Sequence, residues 1–284
     1  NLINILTTPS LDVKSSSLLE SREKRNSRQL NNYKMLYECL KEYKQYNNEK
    51  LISIILPVYN EEKTIKNVLE NLPKSELIEV IVVDDHSTDS SLNEIKKVKS
   101  NGEIHIIEHK FNQGYGKALL TGIHHSKGEI FITMDSDGQH RPEDIFSLLE
   151  PIFKGDADIT IGSRYKGTYN YRIPVAKRLG EAFLEVIIIL LFGQKVKNNQ
   201  GGFRAFHRKT QVIFENIRFK GYAFTTELIL QAALRRFRIK EVPINLASRE
   251  FGSSYIILRK LVLMLFLCIG IYFFKKVKRI LFKK

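Results

Sequence analysis

Apolar segments that end in polar clusters alternate with helical patterns through the first half of the chain. Leu51–Leu56 and Val80–Val83 are continuous apolar runs, typical of parallel strands that are covered on both faces. Between them, Thr64–Leu72 places apolar residues at helical spacing. Strand, helix and strand in this order form a βαβ unit, whose ligand site lies at the carboxyl ends of the strands. The sequence therefore predicts an α/β fold that is Rossmann-like, with a mainly parallel sheet.

The same alternation continues beyond the first unit. Further strands are predicted at Ile104–Ile107, Ile130–Met134, Ala157–Gly162 and Ile239–Leu246, with helices at Ser91–Ser100, Gly116–Ser126 and Thr226–Phe237. Each of the first polar clusters follows a strand, so these clusters are predicted to gather along one edge of the sheet. The apolar run Val186–Phe192 is shorter than the roughly 20 residues that cross a bilayer, and either the core or a membrane surface could cover it.

Three oxygen-bearing side chains, Asp135, Asp137 and Gln139, follow the predicted strand Ile130–Met134. In an extended backbone, side chains two residues apart share a face, so these three are predicted to converge. Adjacent carboxylates repel unless a cation or a proton lies between them, and hard oxygen donors suit Mg²⁺ or Mn²⁺. A calcium loop is excluded because its twelfth position would be Phe146. A solvated Asp-Gly turn stays open as the alternative to a metal site.

The net charge of +14 is concentrated near the C-terminal end. Phe251–Lys284 holds eight of the basic residues and no acidic residue, and it contains the apolar run Leu261–Phe274. As a helix this run spans about 21 Å, against a hydrocarbon core of about 30 Å, so it could lie in the interface or span a thinned bilayer. A core helix is the third possibility. An anionic membrane surface is the predicted partner, and nucleic acid is not, because no recognition motif accompanies the charge.

Three regions follow from these patterns. Residues 1–50 are predicted to be an N-terminal extension with one amphipathic helix at Asn32–Tyr46, residues 51–255 the α/β domain, and residues 256–284 a basic, apolar, membrane-associated helical tail. The two cysteines, Cys39 and Cys268, lie in very different contexts, so we expect no disulfide and a reducing compartment. The sequence does not predict an oligomeric state.

Six short motifs occur in order between residues 52 and 255. They are Pro57–Glu61 (PVYNE), Val82–Asp85 (VVDD), Asp135–Gln139 (DSDGQ), Gly162–Arg164 (GSR), Gly202–Arg204 (GFR) and Arg249–Gly252 (REFG). In order and spacing they resemble family 2 glycosyltransferases, most closely the dolichyl- or polyprenyl-phosphate sugar synthases of the dolichol-phosphate mannosyltransferase type. The resemblance implies a GT-A type domain that transfers a hexose, with inversion and a metal, from a nucleotide-diphospho-sugar of the GDP-mannose or UDP-glucose class.

The resemblance also implies a nucleotide-sugar pocket. Tyr59 would pack near the base, and Asp84 or Asp85 would bind the base or the ribose, since a carboxylate at a strand end is well placed to accept hydrogen bonds. For Glu61, a favourable interaction with a helix dipole is the alternative. The residues implied in this pocket are Pro57, Tyr59, Glu61, Val83, Asp84, Asp85, Asp135, Ser136 and Arg249.

The negative charge of the leaving diphosphate requires a metal ion or cationic side chains to stabilise it. The resemblance implies that the three oxygen donors of the Asp135–Gln139 loop bind Mg²⁺ or Mn²⁺, with Asp137 and Arg164 as catalytic residues. Arg164, Arg204 and Arg249 are candidate clamps for the diphosphate or the acceptor phosphate, because a guanidinium matches paired phosphate oxygens. A surface ion pair is the alternative for each arginine.

The acceptor determines whether a general base is required. A sugar hydroxyl must lose a proton to attack, whereas a lipid monophosphate is already anionic and needs cationic positioning instead. Glu227 matches the position at which relatives with hydroxyl acceptors carry a catalytic acid, and a helix-dipole role is its alternative. The chain departs from the lipid-phosphate pattern at Tyr255, where a lysine is usual, and at Asn198–Gln200, where an acidic residue is usual.

Three functions stay open at this point. They are transfer to dolichyl or polyprenyl phosphate, transfer to a saccharide hydroxyl with Glu227 as the base, and binding of a sugar nucleotide without turnover. For the first, we predict a membrane-associated enzyme whose catalytic domain lies on the cytoplasmic side.

Overall fold

The computed structural model describes residue 27 and residues 30–45, 50–98, 103–169, 175–221, 223–248 and 258–282. The strands are β1 (Ile52–Val58), β2 (Ile78–Asp84), β3 (Glu103–Glu108), β4 (Ile130–Thr133), β5 (Ile159–Tyr169), β6 (Arg204–His207) and β7 (Ile239–Leu246). The helices are α1 (30–44), α2 (Ile65–Glu70), α3 (Ser91–Lys97), α4 (Tyr115–His125), α5 (Ile145–Phe153), α6 (Val175–Phe192), α7 (Phe224–Leu234) and α8 (Leu258–Leu281).

The strands form one mixed sheet in the order β3-β2-β1-β4-β6-β5-β7. The pairs β1–β2, β1–β4, β2–β3 and β5–β7 are parallel, and β6 runs antiparallel between β4 and β5. Every residue of β1, β2 and β4 is buried, which explains why these strands read as continuous apolar runs. The prediction of an α/β fold with a mainly parallel sheet is confirmed.

Helices cover both faces of the sheet. One core cluster packs α1, α2, α3 and α5 against one face, and a second cluster packs α4, α6, α7 and α8 against the other. The predicted N-terminal amphipathic helix is present as α1, which buries Leu36 and Leu40 in the first cluster. Both cysteines are free thiols, as expected.

Two elements differ from the prediction. The first is α5, at which the sequence pattern predicted no helix. It contains Pro151 and follows Pro142, and proline usually marks a helix boundary. In α5, however, Pro151 lies close to the C-terminal end of the helix. The predicted tail is not separate from the domain either. α8 packs against α7 and α6 and buries a stripe of Leu265, Cys268 and Tyr272.

The opposite face of α8 is exposed and apolar, with Phe274 75% exposed. α8 therefore has one face in the core, as the core-helix alternative predicts, and one face that the core does not cover. No helix in the described part of the chain is both long enough and apolar enough to cross a membrane. The N-terminal residues 1–26, the motif at Arg249–Gly252 and Tyr255 lie outside the described residues.

Candidate active site

The loops that follow β1, β2 and β4 meet at one edge of the sheet. Val58 at the end of β1 lies beside Asp84 at the end of β2. The Ser136 hydroxyl, after β4, donates a hydrogen bond to the carbonyl of Pro57 (2.8 Å), and the Thr64 hydroxyl donates to the carbonyl of Ser136 (2.8 Å). The polar clusters therefore gather along one edge, as predicted from the alternation of strands and helices.

The adjacent carboxylates Asp84 and Asp85 have different surroundings. Asp84 is only 4% exposed; its Oδ2 accepts a hydrogen bond from the Ser87 amide (3.2 Å), while its Oδ1 has no partner among the described residues. Both oxygens of Asp85 accept hydrogen bonds from backbone amides, those of Gln113 (2.8 Å) and Gly114 (2.7 Å). A buried acceptor without a partner is costly, so Asp84 is the better candidate to bind a ligand donor. Asp85 instead fixes the loop before α4.

The other predicted nucleotide-binding residues differ in how exposed they are and in what they contact. Tyr59 is 42% exposed on the loop after β1, where its ring is available to a ligand. Glu61 Oε2 lies 3.2 Å from the Thr64 hydroxyl oxygen, before the first turn of α2, so neither its pocket role nor the helix-dipole alternative is decided by this contact. Val83 is wholly buried in the second core cluster, so the prediction that it lines the pocket is wrong for its side chain.

Asp135 lies at the centre of the site and has neighbours that the sequence did not indicate. Its Oδ1 accepts a hydrogen bond from the Tyr115 hydroxyl (2.9 Å), and its Oδ2 lies 3.6 Å from Nδ1 of His140. Burial of the Tyr115 hydroxyl, together with the Asp135 carboxylate, raises the pKa of Tyr115 well above its usual value, so this hydroxyl remains a donor. The glycines Gly114 and Gly116, which flank Tyr115 in the sequence, were the available signal for this contact.

Gly202 also contacts Asp135 closely. A Cβ atom at this position would lie 2.5 Å from Asp135 Oδ1 and 2.5 Å from the Tyr115 hydroxyl oxygen. The Thr133 hydroxyl donates a hydrogen bond to the Gly202 carbonyl (2.6 Å) and holds the backbone there. The glycine of the GFR motif is therefore required by close packing against the carboxylate.

The other two predicted metal ligands lie on the same loop. Asp137 Oδ1 accepts a hydrogen bond from the backbone amide of Gln139 (3.0 Å), and the side-chain Nε2 of Gln139 donates to the Ala247 carbonyl (3.1 Å). Because the hydrogen bond to Ala247 uses the nitrogen of the Gln139 side-chain amide, the oxygen of that amide, Oε1, is left as an acceptor. Within the described ranges, no three His, Cys, Asp or Glu side chains form a metal-binding group. The donor set is two carboxylates and one amide, which are hard oxygen ligands that fit Mg²⁺ or Mn²⁺.

Arg204 does not act as the predicted phosphate clamp. Its side chain is wholly buried and donates hydrogen bonds to the carbonyls of Asn199 (2.7 Å), Gly201 (2.8 Å) and Thr225 (2.9 Å). Burial lowers the pKa of Arg204 to about 10, so the guanidinium stays charged at neutral pH. Its role in this structure is to hold the loop before β6 beside Asp135.

Arg164 lies in a different environment, at a cavity of about 290 Å³. The polar part of this cavity includes Asp135, Gln139 and Arg164, and Arg164 donates a hydrogen bond to Glu181 of α6 (2.8 Å). The apolar part is formed by α6 and α8, including Phe183 and Phe266. The cavity thus joins the candidate metal loop to an apolar wall. Arg249 lies outside the described residues, so its predicted roles stay predictions.

Glu227 is not placed to act as a base at this cavity. It is wholly buried and accepts hydrogen bonds from the amides of Arg218 (3.0 Å) and Phe219 (2.8 Å) and from the Tyr272 hydroxyl (2.5 Å). It is not among the residues that line the cavity at Asp135. The carboxylate links α7 to α8, which corrects the prediction of a catalytic Glu227.

In the structure, the side chains at Asn198–Gln200, where the chain departs from the family pattern, make hydrogen bonds to neighbouring elements. Asn198 Nδ2 donates a hydrogen bond to the Gly162 carbonyl (2.6 Å), and Gln200 Nε2 donates to the Thr226 hydroxyl (2.7 Å). Neutral amides thus anchor this loop to β5 and α7, and both side chains lie at the cavity.

Comparisons with known proteins agree with this geometry. Residues 53–213 match the model for "Glycosyl transferase family 2". A Methanococcus voltae protein named UDP-N-acetylglucosamine–dolichyl-phosphate N-acetylglucosaminyltransferase is 34% identical over 224 residues, covering 72% of this chain and 89% of that protein. Dolichol-phosphate mannosyltransferase of Pyrococcus furiosus is 28% identical over 211 residues, covering 72% of this chain and 58% of that protein.

A solved structure supports the fold. Glucosyl-3-phosphoglycerate synthase of Mycobacterium tuberculosis, in complex with uridine diphosphate, has a TM-score of 0.61 at 21% identity, covering 78% of this chain and 80% of that one. The same protein has also been solved with Mn²⁺, UDP-glucose and phosphoglyceric acid. The GT-A like fold implied by the motifs is confirmed. Since the family model matches more than half of the sequence and a relative is 34% identical over most of its length, the chain belongs to glycosyl transferase family 2.

Proposed function

We propose that this glycosyltransferase moves a sugar from a uridine-diphosphate sugar to dolichyl or polyprenyl phosphate at a membrane surface. The observation that carries the proposal is the cavity at Asp135, in which hard oxygen donors and Arg164 face an apolar wall formed by Phe183 and Phe266. A lipid phosphate has the same two parts, an anionic head and an apolar chain. The names of the Methanococcus and Pyrococcus relatives support this acceptor class.

The donor assignment rests on the edge where β1, β2 and β4 end. The Oδ1 atom of Asp84 is buried and has no hydrogen-bond partner among the described residues, which a donor group of the base or the ribose would satisfy, and Tyr59 offers an exposed ring. UDP-N-acetylglucosamine and UDP-glucose are the first donors to test, because a relative and a solved neighbour carry these names. GDP-mannose belongs in the same panel because of the Pyrococcus relative.

The chemistry follows from the charges. A divalent metal held by Asp135, Asp137 and Gln139 would stabilise the charge of the departing nucleoside diphosphate. The acceptor phosphate oxygen attacks the anomeric carbon while the bond to the diphosphate breaks, with inversion. Because the lipid phosphate is already anionic, no side chain has to remove a proton, which agrees with the buried and fully engaged carboxylate of Glu227. Arg164 positions the acceptor charge.

The membrane assignment rests on one surface, which we call the α6–α8 face. Phe183 of α6 and Phe266 of α8 are in ring contact, with centroids 6.2 Å apart. The exposed apolar residues of this surface are Leu179, Phe183, Val186, Leu190, Val262, Leu263, Phe266, Leu267 and Phe274. Exposed apolar residues grouped on two neighbouring helices mark an interaction site, and helices that lie on a bilayer bury such faces. Part of it borders the cavity, which a lipid-borne acceptor needs.

The deciding experiment combines donors and acceptors. Purified protein with Mn²⁺ or Mg²⁺ is incubated with UDP-N-acetylglucosamine, UDP-glucose or GDP-mannose, and with polyprenyl phosphate or a saccharide. A glycolipid that forms only with the lipid phosphate is the expected result, and Asp135→Ala and Asp137→Ala should abolish it. Asp156→Ala is the matched control, because Asp156 is an exposed carboxylate paired with Lys240 away from the cavity. Transfer to the saccharide alone, lost in Glu227→Gln, would contradict the proposal.

A further inference from the structure

A second cavity lies where the end of α7 meets the end of α8. It has a volume of about 790 Å³ and shares no lining residue with the cavity at Asp135. Four of its lining residues are cationic, namely Arg218 before α7, Arg235 after α7, and Lys275 and Arg279 of α8. We call it the α7–α8 cavity. The transfer reaction described above does not use it.

Positive charge exceeds negative charge in the α7–α8 cavity among the described residues. Among the described residues, none of the four cations forms an ion pair with an acidic side chain. Glu215 is the acidic residue that lines the cavity. The nearby Glu227 carboxylate already accepts backbone and hydroxyl hydrogen bonds, as described above. The Glu227 carboxylate also acts to raise the pKa of Lys275, so two of the four positive charges lack a counter-charge among the described residues.

The contacts of these cations show that the cavity is formed by fixed groups. Arg279 donates to the carbonyl of Leu234, and Arg235 donates to the side chain of Gln231. Lys275 lies over the ring of Tyr272, with 4.3 Å from its Nζ to the ring centroid. Burial and the neighbouring Arg218 lower the pKa of Lys275, so an anion bound here would relieve like-charge repulsion.

The position of the cavity indicates what brings the anion. Lys275 directly follows Phe274, an exposed residue of the α6–α8 face, and Leu281 and Phe282 are exposed at the far end of α8. Phe266 at the active-site cavity and Lys275 at the second cavity are separated by a rise of about 14 Å along the α8 axis, at 1.5 Å per residue, and nine residues are two and a half turns, so the two side chains leave α8 on opposite sides. Because Lys275 and Arg279 share the side of α8 that carries Tyr272, the headgroups that would reach them are those at the edge of a bilayer that covers the α6–α8 face, beside the C-terminal end of α8.

We propose that the α7–α8 cavity binds a phosphate group, and that the headgroup of an anionic lipid supplies it. Arginine and lysine side chains are the usual ligands for phosphate oxygens, and a basic pocket next to a membrane-covered helix is a typical headgroup site. The site would fix the orientation of the enzyme on the membrane, so that the cavity at Asp135 opens toward the lipid acceptor.

The test measures binding to vesicles of phosphatidylcholine alone and to vesicles that also contain phosphatidylglycerol. Arg218→Gln/Lys275→Gln should weaken binding to the anionic vesicles roughly 30-fold more than the control does, since direct charged hydrogen bonds to a phosphate add about 1 kcal/mol per cation to the general surface attraction that both variants lose. Lys195→Gln/Lys278→Gln is the matched control, because it removes two exposed charges that do not line the cavity. The control should lose clearly less. Binding to phosphatidylcholine vesicles should be the same for all variants.

A second measurement distinguishes a lipid headgroup from a soluble anion. Inorganic phosphate, compared with chloride at equal ionic strength, is titrated while the thermal unfolding midpoint is recorded. If phosphate raises the midpoint of the parent but not of Arg218→Gln/Lys275→Gln, and both bind anionic vesicles equally, the phosphate site stands and the lipid source is wrong.

The proposal as a whole is overturned if the cavity variant and the control behave alike in both measurements. Arg279→Gln is the second variant in case the double substitution unfolds the protein, since Arg279 is exposed at the end of α8. Transferase activity on a detergent-solubilised acceptor should stay unchanged in every variant. This readout separates a failure of the cavity proposal from a failure of the proposed transfer reaction.

Discussion

Replacing Gly202 by alanine tests whether Asp135 is held where the reaction requires it. A Cβ at residue 202 would lie 2.5 Å from both Asp135 Oδ1 and the Tyr115 hydroxyl oxygen, and 2.8 Å from Asp135 Oδ2. The backbone cannot withdraw easily, because the Gly202 carbonyl accepts a hydrogen bond from Thr133 and the Phe203 carbonyl accepts one from the Gly162 amide. Asp135 and Tyr115 must therefore move.

The size of that movement sets the expected effect. An ordinary van der Waals contact begins at about 3.4 Å, so the carboxylate oxygen has to shift by about 0.9 Å. A misplacement of about 1 Å in a catalytic constellation costs about 100-fold in rate. We therefore expect turnover of Gly202→Ala to fall roughly 100-fold. The overpacking itself should cost about 1–3 kcal/mol of stability, which leaves most of the protein folded if it has ordinary stability.

The assay is turnover at saturating donor over a titration of Mn²⁺, together with the thermal unfolding midpoint of the same preparation. Gly221→Ala is the control, because a Cβ at that position meets no atom within 4 Å. Tyr115→Phe completes a double-mutant cycle: its effect should shrink in the Gly202→Ala background, where the hydrogen bond to Asp135 is already disturbed. A folded Gly202→Ala protein with unchanged turnover and metal dependence would refute the role of Asp135.

Further predictions concern carboxylates whose roles the structure separates. Asp84→Asn should raise the KM for the donor about tenfold or more and lower the unfolding midpoint less than Asp85→Asn does, because Asp84 accepts one backbone amide and Asp85 accepts two. Glu227→Gln should cost about 1–3 kcal/mol in urea unfolding yet leave turnover per folded molecule unchanged with a lipid phosphate; a large loss of turnover at unchanged stability would restore a catalytic role. Burial alone would raise the pKa of Asp158, but hydrogen bonds from Arg238 outweigh it and hold this pKa well below 3.8. The contribution of Asp158 to stability is then fully present above about pH 4 and decreases as the pH falls toward the lowered pKa, so Asp158→Asn and the parent should differ in urea unfolding at pH 7 and differ by less at pH 2; an equal difference at both pH values would contradict this.

The sequence was sufficient for the parallel strands and for the functional edge, because both depend on local pattern, whereas the antiparallel pairing of β6 inside the sheet was not predicted. β1, β2 and β4 are buried on both faces, so their composition is unambiguous, and the connectivity of a βαβ unit places the following loops together. The motif at Asp135–Gln139 could be located for the same reason. The close contact of Gly202 with Asp135 joins residues 67 positions apart and has no local signal.

The roles of single charged side chains could not be read from the sequence, because those roles depend on distant partners. Arg164 and Arg204 are the last residues of two similar motifs, GSR and GFR. Arg164 nevertheless lies at a cavity, whereas the guanidinium of Arg204 donates hydrogen bonds to three backbone carbonyls. Glu227 resembles a base by position, but its partner Tyr272 lies 45 residues later in the chain. In each case the deciding fact is how many of the polar atoms are already satisfied.

The position of α8 links the stability of the domain to its proposed function. Leu265, Cys268 and Tyr272 recur at helical spacing and fill the core beneath α7, and this stripe was the signal that the segment is more than a tail. Because Tyr272 is anchored by Glu227, the opposite face of α8, with Phe266 beside the cavity, is held at a fixed position. A flexible tail could only bring the enzyme near a membrane. A helix fixed in this way can also hold an acceptor chain at a set distance from Asp135, which an effective transfer reaction requires.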